Sequence, residues 1–139
     1  MKPRLFLDTN VILDLLTDRH PFYQSAAELF SLADNDKIVL VVSALSFSTA
    51  NYFIAKFENS LVAKEKIKKF RVLCEIWDLS ALTIDKGLNS EFKDFEDALQ
   101  YFSAKDAGCD FLITRNGKDF KSANIPILTV DEYLEIYRR

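Results

Sequence analysis

The stretch Arg4-Leu5-Phe6-Leu7-Asp8-Thr9-Asn10-Val11-Ile12 decides the fold class. Its first four residues form a short, mainly apolar run that stops at a polar Asp-Thr-Asn, the pattern of a buried strand giving way to a helix. Val11 to Leu16 then starts that helix, with Asn10 or Thr9 available as its cap. The same alternation recurs to the end of the chain. Pro21 opens a second helix, with Phe22, Ala26, Leu29, Phe30 and Ala33 at helical spacing, and Asn35-Asp36 ends it. Ile38 to Val42, four of whose five residues are β-branched, reads as a second strand, and Ser43 as the cap of a helix carrying Phe47, Ala50, Ile54 and Phe57 on one face.

Beyond the break at Asn59-Ser60, a helix is expected from about Leu61 to Cys74, basic on one side and apolar at Ile67, Phe70 and Leu73. Trp77, Leu79 and Leu82 mark a weaker third strand, near 76–80, and its exit, and Ile84 to Ser90 a short helical turn. From Asp94 the pattern sharpens: Phe95, Ala98, Leu99, Phe102 and Ala107 lie on one helical stripe that Gly108 stops. Phe111-Leu112-Ile113 is the fourth strand, Ile127-Leu128 the fifth, and Val130 to Tyr137 a closing helix. Five short apolar strands separated by helices specify an α/β fold with a mainly parallel sheet covered on both faces.

Composition fits a single domain over residues 1–139. The chain is 49% hydrophobic, without internal repeat or Pro/Gly-rich linker, and a domain of this size buries roughly 65–70% of the surface its unfolded chain exposes. A net charge of −3, from 18 basic and 21 acidic residues, provides no global field for nucleic acid, so any such binding is local. Basic residues gather at Lys56, from Lys64 to Arg71 and from Arg115 to Lys121. For Lys56 with Lys64 to Arg71, the first of two such places, a solvated helix face is the plainer reading. Cys74 and Cys109 sit in or beside apolar runs and read as packing residues rather than a disulfide framework. The amino terminus lacks the apolar length of a signal peptide, and no stretch approaches the ~20 apolar residues of a membrane span. A cytoplasmic protein with no membrane association is therefore expected.

The polar clusters carry the chemistry. Asp8-Thr9-Asn10 follows the first strand, Thr114-Arg115-Asn116-Gly117-Lys118-Asp119 follows the fourth, and Asp94-Phe95-Glu96-Asp97 opens a helix. In an open α/β sheet the carboxyl ends of the strands gather at one edge, where ligands bind. Asp94 and Asp97, three residues apart, share a face of a helix terminus that tolerates negative charge. Each also has a plain structural reading, as cap and first-turn acid. Spacing does not establish that this terminus turns toward Asp8. Convergent carboxylates point to a hard divalent cation, Mg²⁺ or Mn²⁺, and so to phosphate chemistry. A dehalogenase-like phosphatase wants a second acid where Asn10 stands, and a phospho-receiver wants further acids in the first strand. With only Gly87, Gly108 and Gly117 in the chain, a Walker loop and a dinucleotide fingerprint are absent too. His20, beside Pro21 in a loop, reads as a surface or capping residue.

Phe6-Leu7-Asp8-Thr9-Asn10-Val11-Ile12, Val42-Ser43-Ala44, Asp94-Phe95-Glu96-Asp97-Ala98-Leu99 and Leu112-Ile113-Thr114-Arg115-Asn116 with Asp119-Phe120 together resemble a PIN domain, of the kind found as the toxin in bacterial type II toxin–antitoxin pairs. The resemblance implies a three-layer α/β/α sandwich with a five-stranded parallel sheet. It also implies Mg²⁺- or Mn²⁺-dependent hydrolysis of RNA by a homodimer that a small antitoxin inhibits. Transferred position by position, it makes Asp8, Asp94, Asp97 and Asp119 the catalytic carboxylates and Asp8, Asp97 and Asn116 the metal ligands. Thr9, Asn10, Ser43 and Thr114 would orient the carboxylates, and Arg115 would neutralise backbone phosphate.

Two departures stand out. The family usually carries an acid about six residues beyond the serine that follows the second strand, where this chain has Thr49, and commonly another where it has Asn116. Asn116 offers a neutral oxygen and no charge. Two or three carboxylates still suffice for one Mg²⁺ that keeps several waters, while a second tightly held ion is disfavoured. A catalytically impaired RNA-binding or protein-interaction module that kept the fold is the alternative these departures favour.

Overall fold

The computed structural model describes residues 1–120 and 124–139, except for the side chain of Asp119. Five parallel strands, β1 (Arg4–Leu7), β2 (Val39–Ser43), β3 (Cys74–Trp77), β4 (Phe111–Ile113) and β5 (Ile127–Leu128), form one sheet in the order β3-β2-β1-β4-β5. The register sets Phe6 against Val41 on one side and Leu112 on the other. Alternation along the strands divides the core. Leu5, Leu7, Leu40, Val42 and Ile113 face one side, packed with α1 (Thr9–Leu16), α2 (Tyr23–Asp34), α3 (Ala44–Phe57), α4 (Ser60–Arg71) and α7 (Val130–Arg138). Phe6, Val41 and Leu112 face the other, packed against α6 (Phe95–Asp106), which α5 (Ala81–Leu88) flanks. Each such side chain removed from water contributes on the order of 1.5–3 kcal/mol, which is why the central strands read as unbroken apolar runs.

The expected α/β/α architecture is therefore present, with three adjustments. The third strand lies earlier than residues 76–80, because Cys74 pairs with Leu40 and Trp77 with Ser43. It is an edge strand whose half-exposed Glu75 forms an ion pair with Arg4 at 3.1 Å, and that charge interrupts the apolar run by which a strand is recognised. The preceding helix accordingly stops at Arg71, which turns back to donate to the Cys74 carbonyl at 3.0 Å. The helical segment expected from Ile84 begins at Ala81, capped by Ser80. Ser43 caps α3 as expected, accepting from the Leu45 amide at 3.1 Å.

Helix α6 ends as its sequence demands. Gly108 takes φ +66°, the Cys109 amide donates to the Ala104 carbonyl at 3.0 Å, and the Gly108 amide donates to that of Lys105 at 3.1 Å. This paired closure needs a left-handed residue. At the other end, α5 runs so near α6 that a Cβ on Gly87 would lie 3.2 Å from the Phe95 ring and 3.3 Å from Leu99. The amino terminus of α6, with its acids, is thus seated by side-chain packing one turn below.

Candidate active site at the switch point of the sheet

Sheet order reverses between β1 and β4, so the connections leaving their carboxyl ends part and open a crevice. Asp8 stands there. Its amide donates to the Ile113 carbonyl at 3.0 Å, an extension of the β1–β4 ladder, and its side chain caps α1 by accepting from the Thr9 amide at 2.8 Å. The cap is thus Asp8 itself rather than Thr9 or Asn10. Thr114, at the end of β4, donates through Oγ1 to Asp8 Oδ2 at 2.8 Å, and the Asn116 amide donates to the same Thr114 oxygen at 3.2 Å. Asp8 is only 8% exposed. That burial pushes its carboxyl above the usual range, against the opposing pull of hydrogen bonds from Thr114 and Thr9, the nearby Gln100 amide and the charge of Arg115.

Beneath Asp8 lies a buried polar triangle that sequence reasoning did not anticipate. Thr9 and Ser46 hydroxyls are 2.7 Å apart, and the Gln100 amide nitrogen donates to Ser46 at 2.9 Å and to Thr9 at 3.3 Å. Gln100 is fully buried. One side chain from each of α1, α3 and α6 therefore meets under the carboxylate, tying the three helices that frame the crevice. The available signal was a glutamine set between the apolar Leu99 and Tyr101 of α6, a residue that stays buried only when its amide finds partners.

The amino terminus of α6 forms the facing wall. Asp94 caps it by accepting from the Asp97 amide at 3.0 Å. A cleft of about 320 Å³ is lined by Asp8, Thr9, Asn10, Leu13, Thr49, Phe53, Asp94, Glu96, Asp97 and Asn116. Glu96 is exposed along much of its length, yet burial of its carboxyl and then the charges of Asp8 and Asp94 raise its proton affinity. Four acids thus border one small space.

The expected site residues divide accordingly. Asp8, Asp94, Asp97, Thr9, Asn10 and Asn116 line the cleft, as does Thr49, at the position where an acid was expected and is missing. Thr114 reaches the site through its bond to Asp8. Ser43 is buried beneath the rim as the α3 cap and is not among the lining residues. Arg115 is engaged elsewhere, its Nε 3.2 Å from Asp14 Oδ2 and its guanidinium carbon 4.3 Å from the centre of the Phe22 ring. Asp119 belongs to a 3₁₀ turn (Gly117–Phe120) after β4, but its side chain lies outside those described. Lys121 lies outside the described residues. Glu96 is the lining acid to which sequence reasoning gave no role.

Whether this donor set suits a divalent cation is a question of ligand chemistry. Every polar side chain on the cleft wall offers oxygen; none offers sulfur or imidazole nitrogen. Among the described residues, no three of His, Cys, Asp and Glu converge into a ready-made cage. Acids close enough that Asp8 and Asp94 raise the proton affinity of Glu96, without a closed cage, fit a hard ion that retains much of its own water.

A five-stranded parallel sheet in the order 3-2-1-4-5, with Asp8 at its switch point and an acidic helix terminus opposite, defines a class, and sequence comparison agrees on which. The sequence model of the PIN domain matches residues 4–118, and the chain belongs to the PIN domain family. Among characterised relatives, Ribonuclease VapC1 of Aquifex aeolicus (strain VF5) is 30% identical over 137 residues, covering 95% of this chain and 94% of that protein. Among solved structures, DNA-bound VapBC from Salmonella typhimurium superposes with a TM-score of 0.72 at 17% identity, over 92% of this chain and 98% of that one. VapBC2 from Rickettsia felis, bound to a DNA fragment from its promoter, gives 0.68 at 24% identity, over 90% and 96%.

Proposed function

We propose that this chain is a divalent-metal-dependent endoribonuclease of the toxin type, with residues 1–139 acting as a single domain. The observation that carries the reading is the buried, doubly hydrogen-bonded Asp8 facing the Asp94, Glu96 and Asp97 wall across one cleft. Its near full-length likeness to a protein named a ribonuclease adds the substrate class. Asp8 and Asp97 would hold the ion, Mg²⁺ or Mn²⁺, with Asn116 contributing a neutral oxygen. When bound, such an ion polarises a phosphoryl group and lowers the pKa of a water.

The remaining roles belong to the protein's own groups. Asp94 or Asp119 orients the attacking water and takes its proton. Thr114 and the Thr9 amide fix both oxygens of Asp8, and Asn10 and Ser43, the latter from the cap of α3, help to orient the carboxylates. Lys118, and Arg115 through the guanidinium nitrogens that its Nε contact with Asp14 leaves over, offset the charge of backbone phosphate. Attack at phosphorus breaks the bond to the 3′ oxygen, which leaves as a hydroxyl, so the products carry 5′-phosphate and 3′-hydroxyl ends. A toxin–antitoxin complex among the similar folds supports a small cognate antitoxin as partner. A homodimer in the cytoplasm completes the reading.

The test is cleavage of RNA by purified protein freed of any partner, with and without Mg²⁺ or Mn²⁺. Metal-dependent cleavage that EDTA abolishes, leaving 5′-phosphate ends, is the expected result. One observation favours a second reading: Thr49 occupies the cleft wall at the position usually held by an acid. A binding module without turnover would retain RNA across metals and substrates and never cut it.

A further inference from the structure

Asp14 is buried and plays no part in the chemistry above. Its side chain is 3% exposed, and its Oδ1 has no hydrogen-bond partner among the described residues. Two arginines attend it: Arg115 Nε lies 3.2 Å from Oδ2, and Arg19 Nη1 lies 3.8 Å from Oδ1. Across the Arg115 guanidinium, 4.3 Å from its carbon, lies the Phe22 ring, itself 40% exposed. Arg115 therefore lies between a carboxylate from α1, in an ion pair without hydrogen-bond geometry at Nε, and an aromatic face from the start of α2. A buried carboxylate is costly to maintain, and a well-packed apolar residue would stabilise this position at least as well. Stability alone thus gives a poor account of it.

What Asp14 fixes is the segment after β4. Arg115 lies between Thr114, which donates to Asp8, and Asn116, whose amide donates to Thr114 and whose side chain lines the cleft. Anchoring the middle residue of three sets the direction of its two neighbours, because the backbone has few soft dihedrals over so short a span. We propose that Asp14 is a positioning residue, whose buried carboxylate clamps Arg115 against Phe22 and so holds Thr114 and Asn116 in register with Asp8. The catalytic consequence rests on the ribonuclease reading; the clamp itself does not.

The experiment has two independent readouts. Amide hydrogen exchange at Asn116 is measured in the metal-free wild type, in Asp14→Asn and in Arg115→Lys, and RNA cleavage is followed in the same proteins. Faster exchange at Asn116 is expected in both variants, by about tenfold or more, with the exchange of β1 and β2 amides unchanged. The double variant should be little worse than either single one, as for two halves of one device. For cleavage by Asp14→Asn, which leaves every substrate contact in place, kcat should fall more than KM rises. Should Asp14→Asn fail to fold, Phe22→Leu removes the aromatic face at a partly exposed position and should give the same exchange signature. Unaltered Asn116 exchange in a folded Asp14→Asn or Phe22→Leu protein, or additive effects in the double variant, would overturn the clamp. A wild type that cuts no RNA while the exchange effects appear would refute the ribonuclease reading and leave the clamp standing.

Discussion

At the scale of single residues, Asp8 concentrates the conflict between stability and function. Burial raises its proton affinity, and hydrogen bonds from Thr114 and Thr9 compensate only in part. Because its folded-state pKa lies above the unfolded one, the associated stability is fully present below the ordinary aspartate pKa. It is lost as pH rises through the raised value. At neutral pH and without metal, Asp8→Asn should therefore melt at a higher temperature than the wild type, a gain measurable by calorimetry. The same substitution should lower RNA cleavage by ~10²-fold or more, the scale expected when several kcal/mol of charge stabilisation is removed. In the metal-free protein the Asp8 carboxyl should titrate above an exposed aspartate, a displacement that its side-chain carboxyl chemical shift would follow. An unchanged rate in Asp8→Asn would remove this carboxylate from the mechanism.

At the scale of elements, the amino terminus of α6 combines two jobs that sequence could not separate. Asp94 caps the helix through the Asp97 amide and also lines the cleft. Replacement by alanine should cost about 0.5–2 kcal/mol of stability, the usual worth of such a cap. Asparagine caps about as well as aspartate and carries no charge. Asp94→Asn should thus keep the wild-type denaturation midpoint while losing most of the cleavage, if Asp94 orients water. Full activity in Asp94→Asn, with loss only in Asp94→Ala, would assign Asp94 to capping alone. The facing helices are tied by Gln100, Ser46 and Thr9, so α1, α3 and α6 form one rigid frame around the acids.

At the scale of the whole molecule, several of the chain's 12 Phe and 5 Tyr stand on the surface. Phe22, Phe53 and Phe57 are exposed to 40%, 36% and 74%, and Tyr52 stands beside Phe53 at 59%. Large aromatics are enriched in interfaces, which together with the family supports a twofold homodimer. Sedimentation at tens of micromolar should therefore show a dimer. A species that stays monomeric there would count against it. Among the described residues no helix is long and apolar enough to cross a membrane.

The sequence by itself determined the parallel α/β sheet and its order of elements, because apolar runs of strand length alternating with helical stripes have few other ways to bury themselves. It also located Asp8, Asp94, Thr114 and the stop at Gly108, since caps and strand ends are local signals carried by adjacent residues. It misplaced β3, where an edge strand bearing Glu75 has no continuous apolar pattern to display. Tertiary structure alone decided which distant groups meet. Strand order 3-2-1-4-5 sets Thr114 against Asp8, the close approach of Gly87 to Phe95 seats the acidic end of α6, and the burial of Asp14 ties up Arg115. The Thr114–Asp8 and Arg115–Asp14 contacts span more than a hundred residues in sequence and the Gly87–Phe95 approach joins two separate helices, and their energies depend on burial and distance, neither of which a local pattern encodes.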